Sequence, residues 1–292
     1  MRAPPDWRAH SANDSLSRAE FDPIEVTDPM RLSEEQLDCY RRDGFLILPG
    51  LFAPAEVAAL CAELPALFAE ETPANFREKH SGQVRTAMGL HRRNDVFARL
   101  VRHPRLIGPA MQIAGDRLYV QQVKVNMKAA FGGEVWQWHY DFATHHGEDG
   151  VPEPLALNLH VFLDDVSEFN GPLYFIPRSH RNGPVPACLD LQTTSYPLWV
   201  VDNDTVAALV AEGGIVSATG PAGTGLIFGD CLVHGSPPNM SPWHRRIFSL
   251  IVNPIENALT RHQRPDHQHH RDLTPIEPLD DDCLLRNLAQ AS

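Results

Sequence analysis

The chain has 292 residues, 43% of them hydrophobic, which suffices for one large β-barrel or sandwich domain with additions and does not call for a second. A net charge of -12, with 25 basic residues scattered along the sequence, excludes a nucleic-acid surface, which wants clustered Lys and Arg. The five cysteines (Cys39, Cys61, Cys188, Cys231 and Cys283) are far apart with no CxxC pair, and no apolar run suits a signal peptide or membrane span; the expectation is a cytoplasmic chain in a reducing compartment.

Residues 1–30 are polar and proline-bearing and read as a flexible arm. Ser33 followed by Gln36 is a capping-box pattern that predicts a helix over Glu34 to Arg42, closed by Gly44. Phe45 to Leu48 is a short apolar strand. Pro54 opens a stronger helix in which Val57, Leu60, Cys61, Leu64, Leu67 and Phe68 recur at helical spacing, a stripe assigned to core packing alone.

From Arg117 the period changes from helical to two, and short strands separated by Gly, Pro and Asn run to about Pro254. The clearest are Leu118 to Met127, Ala156 to Leu163, Leu173 to Ile176, Gly225 to Phe228 and Ile247 to Val252. Strands without alternating helices predict a sandwich or jelly roll. After Pro254 the chain turns polar, with His262, His267, His269 and His270 among Arg, Gln and Asp. Nothing fixes those imidazoles in one geometry, so a solvated tail or a flap is expected there rather than a metal tract.

The chemistry-bearing stretch is Trp136 to Phe142, which contains His139-Tyr140-Asp141. Far downstream, Gly229 to Ser236 supplies a second imidazole, His234, with Arg245 eleven residues later. Two histidines and one carboxylate on one face of a metal, with other positions open, describe a non-haem Fe(II) oxygenase site. Residues i and i+2 of a strand share a face, so an extended segment would aim His139 and Asp141 at one point. Gln122, Lys124 and Asn126 share one parity, as the wall of a polar cavity inside a barrel mouth would require. Each feature has a plainer alternative: a surface His-x-Asp pair, a core histidine, an edge arginine. Two other activities also remain open on residues alone, a zinc hydrolase built on the same three ligands and a non-catalytic small-molecule-binding jelly roll.

Longer stretches then carry a resemblance. Val84-Arg85, Gln122 to Asn126, Trp138 to Phe142, Glu148 to Pro152, Phe169 to His180 and His234-Gly235-Ser236 with the Arg245 spacing are similar to the phytanoyl-CoA dioxygenase family of Fe(II)/2-oxoglutarate oxygenases. Within that family the chain resembles bacterial ectoine hydroxylases and leucine-type free L-amino-acid hydroxylases. The resemblance implies a mainly β fold, a double-stranded β-helix (jelly roll, cupin-like) with flanking N-terminal helices. It implies His139, Asp141 and His234 as iron ligands, Arg245 on the distal carboxylate of 2-oxoglutarate, and Gln122, Asn126 and Ser236 hydrogen-bonded to that cosubstrate. The implied reaction uses O2 and 2-oxoglutarate to hydroxylate an sp3 carbon, releasing succinate and CO2. Related halogenases carry Gly or Ala in place of the carboxylate, so Asp141 points to hydroxylation. The oxygenase domain would span residues 31–255, with residues 256–292 as a polar tail or flap.

For the substrate, Lys124 matches a position that holds a substrate-contacting Arg in ectoine hydroxylases, which points to a small carboxylate-bearing molecule, a free L-amino acid or related zwitterion. Arg85 is a second candidate, with a structural ion pair as its alternative, and Tyr140, Phe142 and His145 complete the expected pocket. The chain also departs from its look-alikes: His145 stands where they carry Trp, Leu155 where they carry Arg, Tyr140 where they carry Gln or Ser, and Arg178 where Gly is common. These departures argue against ectoine or leucine themselves.

Overall fold

A computed structural model describes residues 28–286, so the arm expected over residues 1–30 lies almost wholly outside the described residues. The strands are β1 (Phe45–Leu48), β2 (Asn75–Arg77), β3 (Val84–Met88), β4 (Leu118–Lys128), β5 (Trp136–His139), β6 (Leu157–Phe162) and β7 (Leu173–Phe175). They continue as β8 (Ala187–Asp190), β9 (Leu198–Val201), β10 (Val216–Ala218), β11 (Gly225–Gly229), β12 (His234–Ser236) and β13 (Arg245–Pro254). A seven-stranded sheet in the order β1-β11-β6-β13-β4-β3-β2 faces a four-stranded sheet β10-β7-β12-β5, and β8 and β9 form a hairpin of their own. The named strand pairs are antiparallel. This is the jelly-roll architecture that the strand pattern predicts.

Among the described residues six α-helices flank the sheets: α1 (Glu34–Asp43), α2 (Pro54–Ala69), α3 (Asp95–Leu100), α4 (Pro104–Ala114), α5 (Asp141–Asp149) and α6 (Asn203–Gly213). At the start of α1 the Gln36 N–H donates to Ser33 Oγ at 3.2 Å, while the Ser33 N–H donates to Gln36 Oε1 at 2.9 Å, the reciprocal pair read from the sequence. Gly44 ends that helix in the left-handed region at φ +88, its N–H donating to Tyr40 O. No helix among the described residues is long and apolar enough to cross a membrane.

Strand parity divides the interior. On one face of the large sheet, Leu46, Leu48, Val123, Val125, Leu157, Leu159, Val161, Phe248 and Leu250 join Leu60 and Leu64 of α2, Phe97 of α3 and Ile107 of α4 in one buried cluster. On the other face, between the sheets, Phe45, Ile47, Phe162, Phe175, Leu226, Phe228 and Ile247 form a second cluster. The same inward face turns polar toward β4. β13 sits between β6 and β4, so its register makes three rows: Phe162, Ile247, Asn126; then His160, Ser249, Lys124; then Asn158, Ile251, Gln122. The apolar rows hold the sheets together and the polar rows open into a cavity.

One local expectation is corrected. The segment after β5 is not extended: Tyr140 is an N-cap and Asp141 begins α5. The Phe142 N–H is drawn to Asp230 O at 3.0 Å, and an acidic residue in a first helical turn is favoured by the helix dipole. α5, α3 and α6 show no strong apolar stripe in the sequence, whereas α4 buries Leu106, Ile107 and Ala110 along one face.

Candidate metal centre and the cavity around it

The three predicted ligands come from three local structures. β12 pairs with β5 so that His234 and His139 are directly opposite, their ring centroids 4.2 Å apart. The helix start brings Asp141 to the same point, with His139 Nε2 3.8 Å from Asp141 Oδ1 and His234 Nε2 3.9 Å from Asp141 Oδ2. Ligand atoms of all three lie within 4.8 Å of one another, the one cluster of this kind among the described residues.

The surroundings prepare this donor set for a metal. His139 Nδ1 donates to Gln137 O at 2.6 Å and His234 Nδ1 to Leu232 O at 2.9 Å, which leaves both Nε2 lone pairs aimed at the centre. Burial, reinforced by the neighbouring His234, pushes the His139 imidazole down to about 3, so it stands neutral as a ligand must. Burial alone would raise the Asp141 carboxyl, but His234, Lys124 and His139 together hold it below its usual range. Asn158 Nδ2 donates to Asp141 Oδ2 at 2.9 Å and fixes the carboxylate's orientation. Two imidazoles with Nε2 turned to one point and an oriented carboxylate, facing an open cavity, fit ferrous iron.

Arg245 begins β13 and is 2% exposed, with Nε donating to Gly171 O at 2.9 Å and Nη2 to Ser236 Oγ at 3.0 Å. Among the described residues no carboxylate lies in ion-pair range of it, and burial pushes the guanidinium down to about 9. A buried cation without an anion is costly to keep, so the site is built for an anion that arrives. Gln122, Lys124 and Asn126 all line the cavity, as their parity predicts. Lys124 Nζ donates to Gln122 Oε1 at 2.6 Å, and burial lowers its ammonium. Asn126 Oδ1 accepts from Thr86 Oγ1 at 2.8 Å. His145 lines the cavity from α5.

Three predicted substrate residues are not brought to the cavity. Arg85 is 1% exposed, pairs with Glu134 Oε2 at 2.8 Å and lies 4.0 Å over the Trp136 ring, so its structural alternative is the one found. Tyr140 and Phe142 point into an apolar cluster with Ile176 and Val233, and the Tyr140 hydroxyl donates to Val185 O. The helical turn at Asp141 rotates both away.

Other lining residues were not singled out in the sequence: Asn158, His160, Tyr196 and above all Arg264. Asn158 and His160 had a signal, since alternating polar residues inside the run Leu157 to Phe162 mark a polar face. Arg264 had none. It reaches in from the polar C-terminal stretch, locked by Nε to Asp149 Oδ1 at 2.9 Å and by a second bond from Nη2 to Oδ2. Asp149 also accepts from His269 Nδ1 at 2.8 Å, and His269 Nε2 meets the Tyr119 hydroxyl at 3.2 Å. His269 and His270 are each 1% exposed, not solvated as the composition suggested.

Comparison with known proteins decides the family. The phytanoyl-CoA dioxygenase family matches residues 40–247. The chain belongs to the phytanoyl-CoA dioxygenase family. It is 40% identical over 268 residues to an ectoine dioxygenase of Bordetella bronchiseptica, covering 85% of this chain and 86% of that one. It is 37% identical to an L-proline trans-4-hydroxylase of Streptomyces griseoviridis, covering 87% of this chain and 100% of the relative. Among solved structures, EctD from S. alaskensis with bound Fe superposes with a TM-score of 0.75 at 30% identity, over 90% of this chain and 93% of that one. The form with 2-oxoglutarate and 5-hydroxyectoine gives 0.73 at 31%, over 90% and 94%. The dioxygenase is thus an Fe(II)/2-oxoglutarate-dependent hydroxylase of a small substrate. The zinc-hydrolase and non-catalytic readings fall away.

Proposed function

We propose that this dioxygenase hydroxylates an sp3 carbon of a free L-amino acid or a closely related small zwitterion. His139, Asp141 and His234 would hold the iron, and Arg245, braced by Ser236 and Gly171, would pair with the distal carboxylate of 2-oxoglutarate through its planar fork of donors. Asn126 offers Nδ2 to the same cosubstrate, while Gln122, whose Nε2 donates to Gln268 O, orients Lys124. Iron with 2-oxoglutarate and O2 supplies the oxidation, in which the keto acid becomes succinate and CO2 and one oxygen enters a C–H bond. The protein's part is to bind, orient and keep water out.

The observation that carries the substrate reading is a surplus of cations. Beyond Arg245, the cavity wall holds Arg264, already paired with Asp149, and Lys124, which has no carboxylate in ion-pair range among the described residues; the one carboxylate lining the space, Asp141, belongs to the metal centre. A substrate carboxylate would give Lys124 the partner it lacks, with Arg264 beside it. The relatives act, by their names, on ectoine and L-proline, small molecules of this charge type. The test is incubation with iron, 2-oxoglutarate and O2 against a panel of free amino acids that includes L-proline, with ectoine alongside. Substrate-dependent succinate and a product heavier by one oxygen are expected for at least one amino acid. No turnover across the amino acids would sink this reading, and turnover of ectoine alone would move it to that substrate.

A further inference from the structure

His145 is 3% exposed and lies one helical turn beyond Asp141, on the same face of α5, where its ring lines the cavity. Its Nδ1 is 3.0 and 3.3 Å from the two carboxylate oxygens of Asp230, a residue 1% exposed just after β11. That pairing places the proton on Nδ1 and leaves the Nε2 lone pair as an acceptor. Nε2 has no hydrogen-bond partner among the described residues. Asp230 in turn has His145 as its side-chain partner and no cation in ion-pair range among the described residues.

We propose that His145, oriented by Asp230, accepts the hydrogen bond from the protonated nitrogen of the substrate, so that the cavity reads an amino acid at both ends. The inference rests on the zwitterion reading above and adds to it the group that recognises the positive end. Of the other acceptors on the wall, Asp141 faces the metal centre, Gln122 Oε1 takes Lys124 and Asn126 Oδ1 takes Thr86, while His160, whose two ring nitrogens have no partner among the described residues, lacks the carboxylate that steadies His145. Lys124 and Arg264 suit the negative end. A buried carboxylate, an imidazole and an ammonium in line would neutralise Asp230 across the ring, the arrangement by which an aspartate steadies an imidazole facing a positive charge.

The test takes the best amino acid from the panel; if the panel yields none, the zwitterion reading itself has failed, which is a different result. For L-proline as that amino acid, the matched probe is tetrahydrofuran-2-carboxylate, in which an ether oxygen replaces the ring nitrogen; for an acyclic amino acid it is the corresponding 2-hydroxy acid. His145→Phe keeps the ring and removes the acceptor. KM for the amino acid should rise about 10- to 100-fold, the usual range for losing a charge-assisted hydrogen bond. The wild-type preference for the amino acid over its analogue should vanish. Asp230→Asn, a change to the positioning residue, should raise KM by a smaller factor, and His145→Gln should recover part of the loss. Anaerobic quenching of Trp136 fluorescence by the amino acid gives the same order without turnover. The proposal is overturned if His145→Phe, folded by circular dichroism, still prefers the amino acid over its analogue by the wild-type ratio.

Discussion

Arg245→Met is the sharpest perturbation because it should act in opposite directions on the empty and the loaded protein. The side chain is 2% exposed and has no anionic partner among the described residues, so in the empty site it is a buried charge held by one carbonyl and one hydroxyl. Methionine of similar volume removes that charge, and the empty variant should be at least as heat-stable as the wild type. With cosubstrate present the balance reverses. Taking one partner from a buried, hydrogen-bonded ion pair costs about 3–5 kcal/mol, or roughly 10²- to 4 × 10³-fold in 2-oxoglutarate affinity. At about 100 times the wild-type Kd, 2-oxoglutarate stabilises the native state by about 2.7 kcal/mol, which raises Tm by roughly 4–5 °C. Anaerobic thermal melts with iron and increasing 2-oxoglutarate read both effects, and the weak visible charge-transfer band of the chelate gives the affinity directly. Arg245→Lys, which keeps the charge and loses the fork, should fall between. An affinity within about threefold of wild type in the Met variant would remove Arg245 from the cosubstrate site.

Other changes test the supports of the site. Asn158→Ala leaves Asp141 without its orienting donor and should weaken iron affinity about 10- to 100-fold in an anaerobic competition with a chelator; unchanged affinity would show that the carboxylate needs no such anchor. Gly171 has φ +79, and a Cβ there would lie 2.6 Å from Lys128 Cδ and 2.9 Å from Pro237 O, so Gly171→Ala should displace the carbonyl that holds Arg245 and raise KM for 2-oxoglutarate; wild-type kinetics would refute it. Arg264→Ala should raise KM for substrate about 10- to 100-fold with substrate-free turnover intact, and an effect confined to kcat would contradict a role in binding. His270 is held neutral by burial, with His91 and Arg92 adding to the effect, its imidazole pushed down to about 3. The unfolded chain takes up that proton near 6.5 and the folded chain does not, so stability should fall as pH drops below about 6.5, by about 1 kcal/mol per unit, until the folded group itself titrates. His270→Phe should flatten that slope in acid-unfolding curves, and an unaltered slope would locate the loss elsewhere.

Much of this protein was open to reading before any coordinates. Side-chain direction in a strand is a local property with a period of two, so the run Gln122 to Asn126 by itself set three polar groups on one face and the valines on the other, and the sheet could only bury the valines. Residue type limited the metal in the same way, since imidazole and carboxylate admit few ions. What needed the tertiary structure were placements made by distant parts of the chain. Packing of the residue 142 amide against the carbonyl of Asp230 turned Asp141 into a helix start and carried Tyr140 and Phe142 out of the pocket. Glu134 claimed Arg85, and Asp149 drew Arg264 from a polar stretch of no visible pattern into the cavity wall. Periodicity along a chain reports which side of its own element a residue faces; which charge it meets there is settled by segments that approach from far away in sequence, and no local pattern encodes them.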